Sequence, residues 1–98
     1  MSEVDFGYLE GFAAGDPRVV TEILEVFVAG TPAWISGLDG PGWADVLHTM
    51  KGAGRGIGAN ALGAVCERAE AAGQVMIPEV KAALVAAVAE IEAYLAEA

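Results

Sequence analysis

Histidine and cysteine are almost absent from this chain of 98 residues: it has one of each, His48 and Cys66. That count excludes a self-contained zinc site of the common Cys/His type. A single thiol cannot close an internal disulfide, so the reducing cytoplasm is the default compartment. Serine is nearly as scarce. Ser2 and Ser36 sit in no nucleophile motif, and no phosphate-cradling GxxxxGK[ST] or GxGxxG pattern follows a strand-like segment. An enzyme with a lone histidine base is disfavoured, because neither a nucleophile nor a metal set accompanies it. Cations are few as well: 5 Lys and Arg against 14 Asp and Glu leave a formal charge of −9. Phosphate backbones and anionic lipid repel such a chain, so neither nucleic acid nor a membrane surface is an expected partner. The longest uncharged apolar run is Ala82–Ala89, well short of the roughly 20 residues a membrane span requires. No basic segment followed by an apolar stretch opens the chain, so no signal peptide is expected.

What the chain does have is helical periodicity. Hydrophobic residues make up 55%, much of it alanine, and nothing alternates with period two over a useful length. Asp16-Pro17 reads as an N-cap and first helical position, followed by Val20, Ile23, Leu24 and Phe27 on one face. Pro32 is expected to kink or break that helix, with Trp34, Ile35 and Leu38 on a second piece. After the Gly40-Pro41-Gly42 turn a helix runs from about Trp43 to Ile57. The next runs from about Asn60, its expected cap, to Ala72, and Gly73 stops it. Pro78 opens a last helix carrying Val80, Leu84, Ala87, Val88, Ile91 and Leu95 on one stripe. A short helix around Asp5–Ala13 holds Phe6, Leu9 and Phe12. The expected fold is all-α: a single domain over residues 1–98, an antiparallel up-down four-helix bundle with a short extra N-terminal helix.

On a helical wheel at ~100° per residue, Val46, Met50, Ala53 and Ile57 cluster opposite His48, with Trp43 and Leu47 flanking. The histidine therefore faces outward. Lys51, Gly52 and Arg55, at three, four and seven residues on, share its face, and Arg68 follows on the next helix. Glycine at position 52 costs about 0.5–1 kcal/mol of helix stability relative to alanine, but it leaves the imidazole open to another macromolecule. An imidazole with a pKa of about 6.5 is largely unprotonated and nucleophilic near neutrality. Attack on a phosphoryl group also requires cations for the equatorial oxygens, which Lys51 and Arg55 can supply.

The segment from His48 to Glu70 is similar to the histidine-containing phosphotransfer (HPt) domain, whose motif reads roughly H-x-L-K-G-[SA]-x-x-x-[LIV]-G-A-x-x-L-x-x-x-C-x-x-[LM]-E. His48, Lys51, Gly52, Ala53, Ile57, Gly58, Ala59, Leu62, Cys66 and Glu70 match. Met50 and Ala69 depart from it mildly, both remaining apolar. The block covers about a quarter of the chain. The resemblance implies a four-helix bundle that reversibly carries a phosphoryl group on the Nε2 of His48. The group comes from a receiver-domain aspartate or a histidine kinase and passes to another receiver. It implies that Lys51 attends the phosphoryl oxygens, that Gly52 keeps the site accessible to the partner, and that Glu70 holds the other ring nitrogen. It implies no cofactor or metal in this chain; Mg²⁺ belongs to the receiver. Such a protein is a phosphocarrier rather than a turnover enzyme.

Each of these residues also has a bland reading. Arg55 is equally at home on a solvated face pairing with Asp45 or Glu67, and Glu70 as an ordinary surface carboxylate. Cys66 reads as a small buried hydrophobe, and Gly58-Ala59 as a tight turn between close-packed helices. Phe6, Tyr8, Leu9 and Phe12 are either a docking patch for a receiver or a lid on the bundle. A monomer is expected from the charge. The rival function is an acidic helical adaptor that binds receivers or other signalling partners without being phosphorylated.

Overall fold

The structure is a computed structural model and describes residues 3–97. Five α-helices follow one another: α1 (Phe6–Phe12), α2 (Pro17–Leu38), α3 (Trp43–Gly56), α4 (Asn60–Ala72) and α5 (Ile77–Glu97), with one 3-10 turn at Gln74–Met76. No strand occurs among the described residues. α2, α3, α4 and α5 pack as neighbours in a ring, each on the next and α5 back on α2, and α1 lies on α2. The connections are short, which makes successive helices antiparallel. The bundle measures 38 × 21 × 19 Å.

Local chemistry explains the ends of the elements. The Asp5 carboxylate accepts from the Tyr8 backbone N–H to start α1, and Asp16 accepts from Arg18 N–H ahead of Pro17 in α2. Gly73, at φ +92°, closes α4 in a conformation open to glycine. Asn60 is not a cap. Ala59 occupies that position with no side-chain hydrogen bond, because Asn60 is already the first helical residue.

Nor does Pro32 end a helix: α2 continues through it to Leu38. Proline has no N–H for the carbonyl four residues back, here that of Val28. The Thr31 hydroxyl fills the gap, donating to Val28 O at 2.8 Å, and Thr31 is itself buried. α2 is also long and apolar enough to cross a membrane by length and composition, with a mean hydropathy of 1.3 over its best 18-residue window. Counting uncharged runs passes over it. Its buried stripe (Val20, Leu24, Phe27, Thr31, Leu38) faces the bundle core.

That core also takes Leu47 and Met50 from α3, Leu62, Cys66 and Ala69 from α4, and Val80, Leu84, Ala87 and Ile91 from α5. On α3 the buried line is Leu47, Met50 and Gly54; Val46 and Ala53 are only half-buried. The core stripe is thus rotated from the one drawn on the wheel, because α3 packs on α2 and α4 at once. Val46 lies against Gly37, where a Cβ would stand 2.8 Å from its Cγ2, and Leu62 lies against Gly54.

The N-terminal segment straps one end of the bundle. Glu3 and Val4 N–H groups donate to the Glu90 carboxylate, Asp5 N–H donates to Gly58 O at 2.8 Å, and Val4 is buried. Phe6 stacks on Tyr94 with centroids 4.2 Å apart, and the Tyr94 hydroxyl donates to Glu10. Of the four residues weighed as patch or lid, Leu9 is fully buried and Phe6 half-buried, while Tyr8 and Phe12 are exposed.

Candidate functional site

α3 turns Leu47 and Met50 into the core, and this registration sends His48 outward, its side chain 77% exposed. Glu70 faces it from α4. It does so because Cys66 and Ala69 hold the buried side of α4 and the close α3–α4 packing brings the two helices' outer edges together. The Glu70 carboxylate bridges two groups on α3. Its Oε1 is 2.6 Å from Lys51 Nζ, and its Oε2 is 3.5 Å from His48 Nδ1. The first is a short charge-assisted contact. The second is at the outer limit of a hydrogen bond and acts mainly as electrostatic orientation.

A carboxylate only accepts hydrogen bonds, so its place beside Nδ1 favours the tautomer with the proton there and the lone pair on Nε2, which Glu70 does not engage. The Lys51 ammonium, with a smaller contribution from His48, holds the Glu70 carboxyl below the usual carboxylate range, against the opposing effect of desolvation. Glu70 is therefore an anion throughout the neutral range. The Lys51 side chain is only 22% exposed, with its charge at the site.

Gly52 lies one turn beyond His48, and a Cβ there would meet nothing within 4 Å. Four residues further Gly56 is equally bare. Gly54 and Gly58 serve a different purpose. A Cβ on Gly54 would stand 3.3 Å from Leu62, and Gly58 sits at φ +86°, where a Cβ would stand 2.6 Å from the Asp5 carbonyl oxygen. Arg55 is drawn toward α4, where its Nη2 is 2.7 Å from Glu67 Oε2. Arg68 is exposed and joins no ion pair among the described residues. Beneath the site Cys66 is fully buried. Burial, followed by the Glu70 charge, pushes its thiol up to about 11, which leaves it inert at neutral pH.

The fold and this constellation can now be set beside known proteins. The family model of the Hpt domain matches residues 22–97. The chain belongs to the Hpt domain family. Among solved structures, it is similar to the crystal structure of the histidine phosphotransferase ShpA from Caulobacter crescentus. The identity is 53%, the TM-score is 0.91, and the match covers 98% of this chain and 93% of that one. No curated protein matches. As an Hpt protein, the chain is a phosphotransfer component of a two-component phosphorelay, a class that works with receiver domains and kinases.

Sequence reading of this Hpt domain singled out His48, Lys51, Gly52, Arg55 and Glu70. The structure brings His48, Lys51 and Glu70 into one cluster, leaves Gly52 open beside it and places Arg55 in a separate pair. Of the two acids the sequence offers Arg55, the structure selects Glu67. Gly63 carries no signal in the sequence, although a Cβ there would stand 2.8 Å from Arg55 Cγ.

Proposed function

We propose that His48 is the phosphoacceptor of this Hpt protein and that Nε2 is the atom that bonds phosphorus. The carrying observation is an exposed imidazole whose Nδ1 edge faces a carboxylate and whose Nε2 edge does not. In the forward step the Nε2 lone pair attacks the phosphorus of a receiver's aspartyl phosphate. The bond from phosphorus to the aspartyl oxygen breaks, and its electron pair leaves with the donor carboxylate. The ring keeps its Nδ1 proton and becomes a phosphoimidazolium cation, whose charge lies beside the Glu70 anion. Attack by a second receiver's aspartate on the same phosphorus reverses the sequence and returns the neutral ring. When a histidine kinase is the donor, Nε2 attacks in the same way, and the bond that breaks joins phosphorus to the kinase's phosphohistidine nitrogen or to the nucleoside diphosphate of its bound ATP, which leaves with the electron pair.

Lys51 attends the phosphoryl oxygens as charge shifts onto them. Three residues from His48 on one helix face, it needs only a change of side-chain torsion to move between Glu70 and a phosphoryl group. Gly52 keeps the approach to Nε2 free for the partner. The protein works as a monomeric carrier without a cofactor, in the reducing cytoplasm that suits a chain whose single cysteine is buried.

Labelled phosphoryl transfer from a phosphorylated receiver tests the reading. Wild type takes up label that survives alkali and is lost in acid, as a phosphoramidate does, and His48→Gln takes up none. Label on His48→Gln, or acid-stable label on wild type, refutes the assignment. Lys51→Ala slows transfer with helicity intact; an unchanged rate removes Lys51 from the chemistry.

A further inference from the structure

Two ion pairs join α3 to α4 on the exposed face, and both put the cation on α3 and the acid on α4. Lys51–Glu70 touches His48; Arg55–Glu67 does not. Arg55 is held in place from below as well as at its tip. Its stem lies in the notch left by Gly63, where a Cβ would be 2.8 Å from Arg55 Cγ, 3.1 Å from Nε and 3.4 Å from Cδ. The guanidinium is thereby fixed over α4, and Arg55 begins about 10 Å of helix rise beyond His48. Along the same face run Gly52 and Gly56, where added Cβ atoms would meet nothing within 4 Å. A partner centred on His48 can lie against this bare backbone, and its edge then reaches Arg55. The Glu67 contact uses one of five guanidinium N–H donors, and the Arg55 side chain remains 46% exposed. The remaining donors form a planar fork suited to a carboxylate. In a chain of net charge −9, the cations of this face are where an acidic surface meets least repulsion.

We propose that Arg55 is a docking residue: it reads a carboxylate at the rim of the receiver surface seated on His48, and it does not stabilise the transferred phosphoryl group. Gly63 is the positioning residue that seats it. The assignment rests on the reading of His48 as phosphoacceptor. Exposed ion pairs contribute little to a fold, whereas charges at the rim of an interface set encounter rate and register.

The experiment is rapid-quench transfer from a phosphorylated receiver domain to the full chain over a range of receiver concentrations and ionic strengths. Arg55→Ala raises the half-saturating receiver concentration about fivefold, the scale of an exposed charge pair, and flattens its salt dependence. The double exchange Arg55→Glu with Glu67→Arg keeps a pair across the helices, and so the helical content, yet docks at least as poorly. Gly63→Ala, which must displace the Arg55 stem, also raises the half-saturating concentration in a folded protein. The proposal is overturned if Arg55→Ala lowers the rate at saturation while half-saturation stays put, or if Arg55→Ala and the exchanged pair both dock like wild type. Failure of the underlying reading shows separately, as label accepted by His48→Gln.

Discussion

Gly52→Ala should make this protein more stable. Glycine inside a helix is less favourable than alanine by about 0.5–1 kcal/mol. The new methyl group would meet nothing within 4 Å, so no clash offsets the gain. For a domain of this size 1 kcal/mol moves Tm by roughly 4–8 °C, so the expected rise is about 2–8 °C. Thermal melting by circular dichroism measures it, and a urea midpoint that rises at constant slope confirms that the native state is responsible. The same substitution at Gly58 should have the opposite sign. There φ is +86°, and a Cβ would stand 2.6 Å from the Asp5 carbonyl oxygen. Left-handed backbone costs about 1–2 kcal/mol for alanine. Relieving the contact shifts the strap that buries Val4, a side chain worth about 1.5–3 kcal/mol when fully buried. Partial loss of that burial brings the total to roughly 2–4 kcal/mol. On the proposed reading, a glycine that weakens α3 beside His48 serves partner access. Gly52→Gln, folded and no less stable than Gly52→Ala by more than the small difference in helix propensity, should transfer phosphoryl groups poorly because its side chain covers the imidazole. The reasoning fails if Gly52→Ala melts below wild type, if Gly58→Ala melts with it, or if Gly52→Gln binds a receiver tightly.

Glu70→Gln offers one acceptor and one donor where the carboxylate offers two acceptors. Either Lys51 is released, or the amide donates to Nδ1 and forces the ring proton onto Nε2; transfer should slow about tenfold, and ¹⁵N resonances of His48 should shift toward the second tautomer. Wild-type rate and spectrum would dismiss the bridge. The Glu70 carboxyl itself should titrate below 4.5, held down first by Lys51. A folded pKa below the unfolded one means that its contribution to stability is present above the unfolded value and disappears as pH falls through the folded one; an NMR midpoint above 4.5 contradicts the pairing. Thr31→Val should cost about 1–2 kcal/mol by leaving the Val28 carbonyl without a donor, and much less in a Pro32→Ala background, where a backbone N–H returns; equal costs in both backgrounds would refute the compensation. Cys66, with its thiol pushed up to about 11, should resist alkylation at pH 8 in the folded protein and react on unfolding, and rapid labelling of the native state would contradict its burial.

The helices and the outward turn of His48 were legible because both follow from periodicity, which the 3.6-residue repeat imposes on any chain that buries one face. The Asp16-Pro17 start and the Gly73 stop were legible for a related reason, since each depends on the backbone preference of one or two residues. Pro32 does not break α2, because the missing N–H is answered by the Thr31 hydroxyl one residue earlier. Asn60 is a good capping residue set one position inside the helix. On α3 the wheel found the buried side but not its centre, because a helix with two packed neighbours buries an arc set by both.

The order of residues by itself determined that this is a set of amphipathic helices, with a lone imidazole, a lysine and an open glycine on one solvent-facing ridge of α3. Only the tertiary structure decided which acids answer which cations. Lys51 meets Glu70 and Arg55 meets Glu67 across a turn, at separations of 19 and 12 residues. Such pairings depend on how closely two helices approach and at what height they face each other. Here Gly54, Gly58 and Gly63 set both by removing the side chains that would otherwise hold α3 and α4, the strap and the Arg55 stem apart.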